Sequence, residues 1–109
     1  MNDYTLKTQI TAIGGDTIAT LHFDWDGMGL SQYRQILSLE SRLRTTGPAQ
    51  VQFDVSIGKK TSSEFRIAAA WVAAVRGTKG LCIDDIERVG ILDLLELETE
   101  GLLFFGGLA

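Results

Sequence analysis

The residues able to do chemistry are few and scattered. His22 is the single histidine and Cys82 the single cysteine of the 109 residues. A nucleophilic pair needs its base within hydrogen-bond reach of a hydroxyl or thiol, and no motif around His22 supplies such a partner. Asp24-Trp25-Asp26-Gly27 opens like a calcium loop but lacks the further ligands and the distal glutamate that the loop requires. Lone Cys82 rules out an intrachain disulfide and cysteine-based zinc ligation. Asp93, Glu96, Glu98 and Glu100 could be offered as acid–base pairs, yet acids at this spacing more often form a solvated or docking face of a helix. Glycine-rich phosphate loops are missing. We therefore expect no catalytic residue, no cofactor and no metal.

Those residues need elements to hold them. Tyr4, Leu6, Thr8 and Ile10 alternate as on one face of a strand. Gly14-Gly15-Asp16 fits a tight turn, and Ala19, Leu21, Phe23 and Trp25 alternate in a second strand. His22 falls on its polar side. Ser31 is the expected N-cap of a first helix carrying Tyr33, Ile36, Leu37 and Leu43, which Gly47-Pro48 ends. Val51–Ile57 alternates too and reads either as a half-buried strand or as a connector. Thr61 with Glu64 forms a capping-box pattern for a second helix, apolar on more than one stripe and suited to a cap at Gly77. A third helix is expected from Asp84 through Leu97, interrupted at Gly101. The fold class expected is α+β: an N-terminal β-hairpin followed by three α-helices, in one domain covering residues 1–109.

Composition narrows the function. Apolar residues make up 45% and charged residues 22%, as in ordinary globular domains. A net charge of −4 argues against nucleic acid or an anionic membrane surface as partner. No stretch is long and apolar enough to span a bilayer. The opening residues have neither a basic start nor an apolar run, so a cytoplasmic location is expected. The charge is also unevenly spread. From Arg34 to Lys79 there are eight bases and three acids; from Asp84 to Glu100 there are seven acids and one base. Attraction within a molecule or between copies would follow, so a homo-oligomer stays open.

Leu102, Leu103, Phe104, Phe105 and Leu108 crowd the last eight residues. They either tuck back into the core or wait for a partner as an exposed patch. Leu102, Leu103, Phe104 and Phe105, with Asp93 and Glu96 of the acidic helix, are the expected partner-binding residues.

Several phrases together resemble the tail assembly chaperones of long-tailed bacteriophages. They are Leu6-Lys7-Thr8-Gln9-Ile10 before a hairpin, Leu21-His22-Phe23-Asp24-Trp25-Asp26-Gly27-Met28 leading into a helix, and the alanine-rich Ala68–Ala74. An acidic helix from Asp85 to Asp93, followed by Leu103-Phe104-Phe105, completes the likeness. The resemblance implies a small non-catalytic protein in the host cytoplasm. It would bind the tape-measure protein, tail-tube subunits or both before the tube polymerises. A second resemblance is to STAS-like domains, the anti-sigma-factor antagonists. Gln50–Ser56 looks like their central strand and Thr61-Ser62-Ser63-Glu64 lies at their phosphorylation motif, which would make Ser62 the phosphorylated residue. That fold implies strands at Val51–Ile57 and Leu81–Ile83. The capping box accounts for the same Thr61 and Glu64 without regulation.

Overall fold

The computed structural model describes residues 3–45 and 62–106. Two antiparallel strands, β1 (Asp3–Thr11) and β2 (Thr17–His22), form a hairpin; α1 (Leu30–Thr45), α2 (Ser63–Gly77), a 3-10 helix (Ile83–Arg88) and α3 (Ile91–Gly106) follow. This is the α+β arrangement read from the sequence. Val51–Ile57 and Leu108 lie outside the described residues, as does Thr61.

The centre is α2. Ala68 to Ala74, including Trp71 and Val72, are buried on every side. A helix so rich in alanine lets neighbours approach closely, and α1, α3 and β2 all pack on it. The hairpin contributes Leu6, Ile10, Ile18 and Leu21 to the same core, α1 contributes Ile36 and Leu39, and α3 contributes Leu97. Trp71 is fully enclosed and donates its indole N–H to the Ile83 carbonyl at 2.9 Å, which fixes the 3-10 helix.

Close approach explains two glycines. A Cβ on Gly77 would lie 2.1 Å from the His22 carbonyl oxygen, and one on Gly101 would lie 2.4 Å from that of Arg66. Gly77 is therefore the last residue of α2 rather than its cap, and Thr78 takes the cap position. Its hydroxyl accepts the His22 N–H at 2.9 Å, while Arg76 donates to the Asp24 carbonyl at 2.8 Å. The end of β2 is thus stitched to the end of α2.

Five local expectations are corrected. Ser31 lies inside α1, whose first turn is closed instead by the Gln32 side chain accepting from Gly29 N–H. The cap of α2 is Ser62, accepting from Phe65 N–H at 3.0 Å. Asp84-Asp85-Ile86-Glu87 belongs to the 3-10 helix, and a separate α-helix begins only at Ile91. Gly101 does not interrupt α3, because the glycine is what lets that helix rest against the α2 backbone. Leu81–Ile83 forms no strand but leads into the 3-10 helix.

Candidate protein-binding face

The site is best built from α3. At 3.6 residues per turn, Asp93, Leu97 and Gly101 share one side, four residues apart, and all three are buried. Ile91, Leu92, Leu95, Leu102 and Leu103 fall on the other side, within an arc of about 120°. All five are exposed, Ile91 by 72% and Leu95 by 52%. Thr99 lies within this arc, and its hydroxyl donates to the Leu95 carbonyl of its own helix at 3.4 Å, so it adds no unmet polar group.

The inward side is polar where it meets the hairpin. Register shifts by three residues between the Thr5–Thr20 and Ile10–Ile18 pairs, so β1 bulges and its amides lose their cross-strand acceptors. Asp93 supplies the replacement. Its carboxylate accepts Lys7 N–H at 2.9 Å, Thr8 N–H at 3.3 Å and the Tyr4 hydroxyl at 2.6 Å. Burial pushes the Asp93 carboxyl up, but these donors outweigh it and hold it below the usual aspartate value. Burial and the same carboxylate push the Tyr4 phenol up.

Asp85, also fully buried, repeats the device at the hairpin turn. It accepts Ile13 N–H and Cys82 N–H, both at 2.8 Å.

The expected binding residues therefore separate. Leu102 and Leu103 are exposed as a partner-binding role requires. Asp93 is 1% exposed and engaged by the hairpin, so its place among the docking residues is corrected: it is an internal clamp. Glu96 is half-buried and lies beside the apolar arc, next to Leu103 on the helical wheel. Phe104 turns to the inner side. Its ring stacks on Trp25, with centroids 4.3 Å apart and planes 7° off parallel. It remains 39% exposed and borders an open groove of about 370 Å³ with Tyr33, Phe65 and Met28. The side chain of Phe105 lies outside the described residues. Ile91, Leu92 and Leu95 were not among the expected residues. Their signal in the sequence is a helix with more leucine than one inner face can take.

The remaining candidates have structural partners. His22 Nδ1 sits 3.0 Å from Asp3 Oδ1 at the open edge of the hairpin, both side chains about half exposed. The Ser62 hydroxyl caps α2 and donates to Glu40 at 2.8 Å, where Arg44 also binds that carboxylate at 3.0 Å. Among the described residues no group of three acids, histidines or cysteines is placed to hold a metal ion. No described helix is long and apolar enough to cross a membrane.

Opposite charges meet within the molecule. Arg42 binds Asp84 at 2.9 Å and Glu87 at 3.0 Å, Arg66 binds Glu98 at 2.9 Å, and Arg76 lies 4.0 Å from Asp24. Compared with family models, with curated proteins and with solved structures, the chain matches none.

Proposed function

We propose that this chain is a non-catalytic tail assembly chaperone of a long-tailed bacteriophage, acting in the host cytoplasm on the tape-measure protein. The observation that carries the reading is the leucine-rich outer side of α3, an apolar arc presented on a helix whose inner side is already satisfied. Contiguous exposed apolar surface on a small protein marks a place where another surface docks. Such a surface suits a client whose own apolar stripes would otherwise aggregate. The resemblance in Leu6–Ile10, Leu21–Met28 and the alanine-rich α2 names the class of client.

The test is co-expression with a tape-measure protein that is insoluble alone. The wild-type chain keeps it in the supernatant and elutes with it, and a Leu95→Ser/Leu102→Ser double variant of unchanged melting temperature does not. If the double variant solubilises the client as well as the wild type, the reading fails. Tail-tube subunits assayed in the same way show whether they share the surface.

A further inference from the structure

We infer that the outer face of α3 receives one amphipathic helix whose leucine-like stripe is flanked by lysine or arginine; this rests on the docking reading above and names the chemistry of the partner. A helix fits better than a strand. The backbone amides and carbonyls of α3 are satisfied within the helix, so an extended segment would find no ladder to join. Side chains at three- and four-residue spacing form ridges that interdigitate with those of a second helix. From Ile91 to Leu103 the face runs about 18 Å, a little over three helical turns.

Charge selects which helix. From Ile91 to Gly106 the sequence holds four acids and neither lysine nor arginine. Asp93 is withdrawn into the hairpin and Glu98 is bound by Arg66 and Ser63. Glu96 borders the apolar arc. A basic flank on the incoming helix would face it, and an acidic flank would be repelled. The same sign disfavours α3 of a second copy. The outward side of α1 in a second copy, with Leu30, Tyr33 and Leu37 exposed around Arg34, is the competing occupant.

Two synthetic peptides of about five helical turns, with identical leucine stripes but lysine flanks in one and glutamate flanks in the other, separate these outcomes. Each is titrated into the full chain by fluorescence anisotropy at about 50 mM and about 500 mM NaCl. The lysine peptide is expected to bind at least ~10-fold more tightly at low salt, with the difference shrinking at high salt. Leu95→Ser weakens both peptides at least ~10-fold without lowering the melting temperature, and Glu96→Gln narrows only the difference between them.

Equal affinities that Leu95→Ser abolishes would overturn the basic-helix inference and leave the chaperone reading standing. Binding of neither peptide by a chain that sediments as a dimer or larger, and is dissociated by Leu37→Ser or Leu95→Ser, would overturn both this inference and the chaperone reading, because the face would then belong to a second copy. Peptide discrimination without any hold on the tape-measure client would instead support this inference and sink the proposed function.

Discussion

Replacing Asp93 should unfold more of the protein's stability than any surface acid can. In Asp93→Ala, the Lys7 and Thr8 amides and the Tyr4 hydroxyl lose their shared acceptor. Hydrogen bonds to a charged group contribute about 1.5–3 kcal/mol, and a buried donor left without a partner costs about 1–3 kcal/mol. Water can reach part of the bulge, since Lys7 and Thr8 side chains are exposed, so about 4 kcal/mol in total is a reasonable sum. At roughly 4–8 °C per kcal/mol for a domain near 100 residues, the melting temperature falls by roughly 15–30 °C. Urea and thermal unfolding followed by circular dichroism read this directly. The same group sets an acid response. Because its carboxyl titrates lower in the folded state than its ordinary 3.8, the stabilisation is present above that value. It is lost as pH falls through the lower folded value. Asp93→Asn should therefore flatten the loss of stability between about pH 5 and pH 2. An Asp93→Ala protein within about 1 kcal/mol of wild type, or an unchanged acid slope in Asp93→Asn, would refute the clamp.

Glycine substitutions should divide by geometry: Gly101→Ala, which improves helix propensity, nevertheless destabilises by about 2 kcal/mol or more because its Cβ would meet the Arg66 backbone. Gly14→Ala, which meets nothing within 4 Å, stays within about 1 kcal/mol of wild type. Phe104→Ala should lower the melting temperature through loss of the Trp25 stack, whereas Leu103→Ser should leave it within a few degrees, and differential scanning fluorimetry distinguishes the two. Tyr4→Phe removes one donor to Asp93, costing about 1 kcal/mol, and should raise the Asp93 carboxyl's titration toward its ordinary value by NMR.

The hairpin was legible because alternation and a Gly-Gly turn are local signals, and the three helices of the described residues because their apolar periodicity is. The three-residue slip in β1 was not. Nothing in Leu6-Lys7-Thr8-Gln9 announces a bulge, since the acceptor that makes it tolerable lies some 85 residues away in sequence at Asp93. A carboxylate that caps two amides and one on a solvated face are the same letter. The cap of α2 shifted by one residue for a related reason. Ser62 and Thr61 can each accept an early amide, and Glu40 across on α1 engages the hydroxyl of Ser62.

In the sequence the apolar cluster that begins at Leu102 reads as core or as interface, and the helix splits its described members, with Leu102 and Leu103 outward and Phe104 turned in. Helical wheels alone would turn the leucines inward and the acids outward, since that is the usual amphipathic sense. Here the inner seam is Asp93, Leu97 and Gly101, and the outer arc is Ile91, Leu92, Leu95, Leu102 and Leu103. The inversion has two causes outside α3: the bulged strand needs an anion at Asp93, and the α2 backbone at Arg66 admits only a glycine at 101. Together they fix the rotation of the helix about its own axis. Once that rotation is set, Leu94 and Leu97 take the inward positions, and Leu92, Leu95, Leu102 and Leu103 are left outward at no cost to the core. A helix locked in this phase by a buried carboxylate and a glycine can change its outer leucines without changing its fold, so binding and stability should respond to different substitutions on the same sixteen residues.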